Sequence, residues 1–367
     1  MRMSLKATLV VCLLLWGGSV CAFGAEKAKG PVKVFLLMGQ SNMNGRGTVG
    51  GLDKLIKDLP EKYPPSLMKI RDDVWILGAN GFGISEQKKN YRLEPGFGQW
   101  KYFGPELAFG HAVGDYFEEP VLLIKSFGGG TPLATNWISP SAAKRRGEKG
   151  PLDGYRGSFQ GSFKKVKQIC ENLELLYDEY DPKQGYQLMG ILWVHGNADA
   201  GKFAEQYEDN LADFITDWRT AFGLPDLPFV AVESLSSRAP GKAYQNAVDR
   251  VNKAAGNTQA VAILAKSKID LKGDKNYSVY NASGDATHWH YNARAYLDVG
   301  YWAAELMKPK LEASRNHATC GVHDAWEKFD KLIDKGNAAN PDPAWEAQQA
   351  ERREKEKAIW PNNILMK

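Results

Sequence analysis

The chain has 367 residues, of which 43% are hydrophobic, which is enough to bury the core of one large α/β domain. Its 47 basic and 43 acidic residues nearly balance, and the formal net charge of +4 excludes the strongly basic surface of a nucleic-acid-binding protein. We therefore expect no nucleic-acid partner.

Residues 1–25 have the features of a secretory signal peptide. Arg2 and Lys6 precede the apolar run 7–16, and small residues follow up to Ala22, after which cleavage is predicted. The alternative is an uncleaved membrane anchor. No later run approaches the length of a membrane span, so we expect a secreted or periplasmic protein without a span after cleavage.

Residues 34–47, VFLLMGQSNMNGRG, combine an apolar run with a small-residue turn. The run predicts a strand that is buried on both faces and ends at Gly39. Ser41 then lies just past the strand, where parallel sheets bind their ligands, and N–H groups at such a turn can face an incoming oxygen. Taken alone, the stretch also fits a plain glycine-rich turn with Ser41 as a turn residue.

Strand-like and helical patterns alternate along the rest of the chain. The apolar runs that predict strands are 32–38, 73–77, 121–126, 188–195, 228–233 and 260–265. The patterns that predict helices are 104–117, 158–180, 205–222, 243–255 and 292–307. This alternation predicts right-handed βαβ units and a parallel sheet with helices on both faces. The long glycine- and proline-bearing segments 44–72 and 78–103 are predicted as loops that wall a cleft.

Two further strand ends are expected to complete the crevice around Ser41. Gly129 and Gly130 follow the third predicted strand, and either can supply a backbone N–H. His195 or Asn197 ends the next strand and can supply a side-chain donor. Because the carboxyl ends of parallel strands meet at one edge, these groups can form an oxyanion hole together with the N–H of Ser41.

Residues 285–300, DATHWHYNARAYLDVG, contain the partners that a serine nucleophile needs. Asp285 lies three residues before His288 and five before His290. A histidine acts as the base and a carboxylate orients it, and the chain order Ser-Asp-His is compatible with this geometry. The same three side chains are possible metal ligands. Since no third histidine lies nearby, we predict no metal and no cofactor.

These motifs resemble the SGNH (GDSL-like) hydrolases, and most closely the sialate O-acetylesterase and acetylxylan esterase group, carbohydrate esterase family six. The blocks that carry the resemblance span about residues 32–308 and read GQSNMNGRG at 39–47, GPE at 104–106, KSFGGGT at 125–131, WVHGNAD at 193–199 and DATH at 285–288.

The resemblance implies a three-layer, flavodoxin-like sandwich with a five-stranded parallel sheet. It also implies a serine esterase that removes O-acetyl groups from polysaccharide or sialic acid through a Ser-His-Asp acyl-enzyme mechanism. The resemblance also implies that Gln40, in the first block, is one of the residues that contact the oxyanion or the substrate.

The chain departs from the family pattern in two places. The usual Gln and Glu of the fourth block are His195 and Asn197. The Asp-x-x-His spacing favours His288 as the base, whereas the ten-residue gap to Gly300 favours His290. The spacing gives a slight preference for His288. Two alternatives to a serine esterase stay open, namely a glycan-binding relative without turnover and a metal-dependent hydrolase that uses the His-x-His pair.

The predicted esterase domain covers residues 26–312, and a charged helical extension without catalytic signals covers 313–367. Cys170 and Cys320 remain after cleavage and either pair or stay as free thiols. Tryptophans 100, 137, 193 and 289 either stack on sugar rings or pack in the core. The expected partner is an acetylated carbohydrate.

Overall fold

A computed structural model of the protein describes residues 30–78, 91–147, 158–233, 241–264 and 290–315, together with Glu327. The predicted signal peptide, Asp285, His288, Cys320 and most of the predicted C-terminal extension lie outside these residues.

One sheet organises the described part of the chain. Its seven strands are β1 (Val32–Gly39), β2 (Arg71–Gly78), β3 (Arg92–Leu93), β4 (Val121–Phe127), β5 (Tyr186–His195), β6 (Phe229–Glu233) and β7 (Ala260–Ile263). They lie in the order β3-β2-β4-β1-β5-β6-β7. All neighbouring strands pair in parallel except β3, which is antiparallel to β2.

The predicted parallel α/β fold is confirmed, and each of the six apolar runs forms a strand. The predicted number of five strands is wrong, because the sheet has seven. A two-residue edge strand such as β3 is too short to produce a period in the sequence. At the opposite edge, the last apolar run joins the sheet as β7.

Helices cover both faces of the sheet. They are α1 (Ser41–Asn44), α2 (Val49–Asp58), α3 (Glu106–Gly114), α4 (Pro140–Arg145), α5 (Phe159–Glu171), α6 (Leu173–Leu176), α7 (Tyr207–Phe222), α8 (Ala243–Ala255) and α9 (Ala293–Arg315). Within the described ranges, none of the helices is long and apolar enough to cross a membrane.

Two predicted segments differ from the observed elements. The single helix predicted over 158–180 is interrupted at Asn172, whose side-chain amide donates to the carbonyl oxygen of Gln168 at 2.7 Å. The segment 44–72, predicted as loop, contains α2, which Thr48 caps by accepting a hydrogen bond from the N–H of Gly51 at 3.1 Å. Two glycines near the start of α2 lower its helix propensity, so its sequence is not typical of a helix.

The central strand β1 is buried along its whole length and separates two apolar cores. Val34, Leu36 and Met38 point into the core beneath α5, α7 and α8. Phe35 and Leu37 point into the core beneath α2, α3 and α9. The alternation follows from the two-residue period of a strand, and it produces the predicted three layers.

Candidate active site

Ser41 begins α1 directly after the carboxyl end of β1. Gly39 has φ +152°, and a Cβ there would lie 2.1 Å from the carbonyl oxygen of Val194, so the close approach of β5 requires glycine. The N–H of Gln40 donates to that same oxygen at 3.2 Å. Ser41 is half-buried, and its hydroxyl and N–H make no hydrogen bond to another described residue. Within the described part of the chain, both groups thus have unused hydrogen-bonding capacity.

The turn after β4 lies beside the Ser41 turn. The N–H of Gly128 donates to the carbonyl oxygen of Gly39 at 3.0 Å. Gly129 and Gly130 follow, both exposed, and a Cβ at either position would meet open space. Their N–H groups make no hydrogen bond within the described part of the chain. The predicted meeting of these two strand ends is thus observed.

Gln40 connects the Ser41 turn to the loop after β5. Its side chain is 2% exposed, and its Oε1 accepts hydrogen bonds from the N–H groups of Gly196 at 3.0 Å and Ala198 at 3.4 Å. Asn197 lies between these two residues and is half-buried. The oxygen of Gln40 therefore holds the loop that presents Asn197.

His195, the other candidate side-chain donor, is fully buried. Its Nε2 lies 2.8 Å from the carbonyl oxygen of Thr131, and its Nδ1 lies 3.4 Å from the hydroxyl of Tyr207. Burial lowers the pKa of His195 to about 3, so its imidazole is neutral at ordinary pH. Of the two predicted donors, only Asn197 is partly exposed.

Asp199 is a site residue that the motif contained but that sequence reasoning did not single out. Its buried carboxylate accepts the N–H of Leu133 at 2.7 Å and the N–H of Ala134 at 2.9 Å. Burial raises the pKa of Asp199 to about 7, while these two hydrogen bonds oppose the shift. The carboxylate fixes the segment that follows the Gly129–Gly130 turn.

A buried ion pair lies behind α1. Lys125 Nζ is 2.8 Å from Glu106 Oε2 and also donates to the carbonyl oxygens of Asn44 at 2.8 Å and Phe97 at 2.9 Å. Glu106 Oε1 accepts the N–H of Gly104 at 2.8 Å. Burial lowers the pKa of Lys125, and Glu106 opposes that shift. A lysine within the apolar strand VLLIKSF was the sequence signal for this pair.

Asn42 joins the start of α9 to the Ser41 turn. Its Oδ1 accepts hydrogen bonds from the N–H of Tyr291 and the hydroxyl of Tyr296, both at 3.1 Å. The hydroxyl of Tyr291 donates to the carbonyl oxygen of Glu233 at 2.8 Å, at the end of β6. The residue before Tyr291 is His290, so the backbone of this histidine adjoins the hydrogen bond to Asn42.

Two other sequence hypotheses have structural outcomes, and the metal hypothesis does not because Asp285 and His288 lie outside the described residues. Trp137 and Trp193 are fully buried and pack edge to face at 5.1 Å, so they belong to the core and not to a sugar platform. Cys170 is a buried free thiol. The described residues contain no cluster of three or more His, Cys, Asp or Glu side chains suited to a metal ion.

Solved structures with a similar chain path include a protein from Arabidopsis thaliana, with TM-score 0.49 and 19% identity over 77% of this chain and 99% of that chain. A carbohydrate acetylesterase from Xanthomonas citri aligns with TM-score 0.45 and 13% identity, over 76% of this chain and 56% of its own length. A carbohydrate esterase whose active site displays divergent catalytic and non-catalytic binding functions aligns with TM-score 0.35 and 13% identity. The alignment covers 79% of this chain and 66% of that chain.

Among curated proteins, no significant match to the sequence was found. The family model described as carbohydrate esterase, sialic acid-specific acetylesterase matches residues 31–308, which confirms the resemblance carried by the sequence blocks. Because this match covers most of the chain, the protein belongs to the carbohydrate esterase family of sialic acid-specific acetylesterases and is a carboxylic ester hydrolase.

Proposed function

We propose that the protein removes O-acetyl groups from carbohydrates, of the acetylated polysaccharide or sialic acid type, through an acetyl-enzyme formed on Ser41. The observation that carries the proposal is the Ser41 turn with its neighbour, the Gly129–Gly130 turn. The Ser41 hydroxyl makes no hydrogen bond to other described residues, and neither do the backbone N–H groups of Gly129 and Gly130 in the neighbouring turn. Acyl transfer needs this combination of a nucleophile and oxyanion donors.

In the proposed reaction, the Ser41 oxygen attacks the acetyl carbonyl carbon while an imidazole takes the hydroxyl proton. The resulting oxyanion accepts hydrogen bonds from the N–H of Ser41 and from the N–H of Gly129 or Gly130, with Asn197 as side-chain donor. The bond to the sugar oxygen then breaks, and the imidazolium returns its proton to that oxygen. A water molecule repeats the sequence on the acetyl-enzyme and releases acetate.

The base is proposed to come from the segment that leads into α9. Tyr291 is anchored to Asn42, the residue after Ser41, and consecutive Cα atoms are about 3.8 Å apart. His290 is therefore one residue from the anchor, whereas His288 is three residues away. We favour His290 on this ground, against the Asp-x-x-His spacing that favours His288, and we propose Asp285 as the orienting carboxylate.

The proposal is tested by acetate release from acetylated xylan and from an O-acetylated sialic acid. On whichever of these substrates the wild type hydrolyses, Ser41→Ala should lower turnover at least about a thousandfold, because the nucleophile is removed. Ser66→Ala, at an exposed serine of the Pro65–Met68 turn, is the control and should match wild type.

A serine-directed phosphonate should label Ser41, and a metal chelator should leave activity unchanged. Ser41→Ala activity within about tenfold of wild type would reject the serine mechanism, given the scale of loss expected for a triad member. Loss of wild-type activity on chelation, with recovery on adding zinc, would indicate a metal-dependent hydrolase instead.

A further inference from the structure

We propose that His195 and Asp199 are positioning residues that hold the loop after β4, and with it the N–H groups of Gly129 and Gly130, in place for the oxyanion. This inference rests on the proposed function, because it gives that loop its role in acyl transfer. Neither residue touches substrate in the proposed arrangement, since both are fully buried.

Three hydrogen bonds connect the β5 end to the loop after β4. His195 Nε2 lies 2.8 Å from the carbonyl oxygen of Thr131. Asp199 accepts the N–H of Leu133 at 2.7 Å and that of Ala134 at 2.9 Å, one on each carboxylate oxygen. These bonds fix residues 131–134 immediately after the two exposed glycines.

The other side of the glycine turn is fixed through Thr131 itself. Its hydroxyl donates to the carbonyl oxygen of Gly128 at 2.6 Å and accepts the indole N–H of Trp137 at 2.8 Å. Gly128 in turn donates its N–H to Gly39, next to the nucleophile turn. The glycines have no side chains of their own to hold them, so their position depends on these flanking bonds.

The surroundings of His195 determine which of its nitrogens carries the proton. A carbonyl oxygen only accepts, so Nε2 must donate to Thr131, and Nδ1 then accepts from the hydroxyl of Tyr207 at 3.4 Å. The ring stacks on Trp193 with centroids 4.5 Å apart, and Tyr244 donates to the His195 carbonyl oxygen at 2.5 Å.

Among the described residues, Asp199 is a further titratable group that faces the ring, with Oδ2 3.7 Å from Nδ1. Burial of the imidazole favours its neutral form. His195 is thus a fixed, uncharged donor to the loop and takes no part in proton transfer.

The first test compares two substitutions that separate the donor from the ring. His195→Gln keeps an N–H donor, whereas His195→Phe keeps a ring that can stack on Trp193 but loses the donor. We expect His195→Phe to lower kcat about a hundredfold with little change in KM, because a displaced loop weakens transition-state contacts. His195→Gln should stay within about tenfold of wild-type kcat, since the loop bond is kept.

His111→Phe is the matched control, because His111 is also a buried histidine but lies in α3 next to Arg71, which begins β2 at the opposite end from the carboxyl edge. It should leave kcat unchanged even where it lowers the melting temperature. Equal kcat for His195→Phe and His195→Gln would overturn the inference, as would a loss confined to KM or an equal loss in His111→Phe.

The second test uses the wild-type protein, so its result does not depend on whether a variant folds. Long-range ¹H–¹⁵N NMR of the wild-type imidazoles should show the His195 ring as the Nε2–H tautomer without titration from about pH 5 to 8, because the charged form is disfavoured by burial. An Nδ1–H tautomer, or a titration in that range, would overturn the inference.

The Ser41→Ala result separates failure of this inference from failure of the proposed function. If Ser41→Ala is inactive while His195→Phe turns over like wild type, only the positioning role is rejected. If Ser41→Ala stays active, the serine mechanism is rejected, and the positioning role in acyl transfer is rejected with it.

Discussion

Three side chains near Ser41 accept hydrogen bonds from backbone N–H groups of other loops. Gln40 holds Gly196, Asn42 holds Tyr291, and Asp199 holds Leu133 and Ala134. A buried amide or carboxylate oxygen is stable only when it is paired, so the oxygens of these side chains belong to the scaffold. Among the described residues, Ser41 and the two exposed glycines keep a hydroxyl and N–H groups that no such scaffold bond uses.

Substitution of the two candidate histidines, His288 and His290, should lower activity to different extents. Alternate residues of an extended segment lie several ångströms apart, so only one imidazole can contact Ser41. We expect His290→Ala to lower kcat/KM at least about a thousandfold and His288→Ala to have a much smaller effect, because only the base is essential. Acetate release from one acetylated substrate measures both variants, and the opposite ranking would assign the base to His288.

Among the elements, β4 supports α1 through one buried lysine. Lys125 reaches the carbonyl oxygen of Asn44 at the end of α1 and that of Phe97 on the neighbouring loop, and Glu106 balances its charge. A four-residue helix is too short to be stable alone, so its position depends on such contacts. The ion pair therefore helps to place the first residue of α1, which is Ser41.

Removing the lysine should damage both stability and turnover. Lys125→Met leaves the Glu106 carboxylate buried without its ion-pair partner, and we expect a loss of about 3–5 kcal/mol in the free energy of unfolding. The double variant Lys125→Met/Glu106→Gln should recover part of that loss, since no unpaired charge remains. Urea unfolding and acetate release measure the two effects. A double variant no more stable than the single one would show that the charge is not the cause.

For the whole molecule, the N-terminal segment is proposed to direct export, with the esterase domain following it. Arg2 and Lys6 before the apolar run 7–16 match the charge and length of a secretory signal. In a Gram-negative host, we expect the exported protein to begin at Phe23, as read by N-terminal sequencing. Export would then place the enzyme where extracellular acetylated glycans occur.

A charge in the apolar run should block this export. Leu14→Arg should retain the full-length chain in the cytoplasm, because an arginine in the apolar region is costly to transfer into the membrane. Leu175→Arg, at an exposed leucine of α6, is the control and should be exported normally. An exported protein that still begins at Met1, or equal export of both variants, would contradict the signal-peptide assignment.

Local sequence patterns were sufficient to predict the parallel α/β architecture, the strand that ends at Gly39 and the serine turn that follows it. These features are local, because a buried strand is a continuous apolar run and a tight turn is a cluster of small residues. The meeting of the Ser41 turn with the Gly129–Gly130 turn was also predictable, since the carboxyl ends of parallel strands share one edge.

The partners of the polar side chains in these motifs could not be predicted from local patterns and follow from the assembled fold. His195 contacts the carbonyl oxygen of Thr131, the Oε1 of Gln40 accepts from the N–H of Gly196, and Lys125 is paired with Glu106 beneath α1. The short edge strand β3 likewise depends on its antiparallel pairing with β2. Each of these outcomes depends on a partner that is distant in sequence. Local patterns specify where an element begins and ends, whereas burial and hydrogen bonding across the assembled loops specify what its polar groups do.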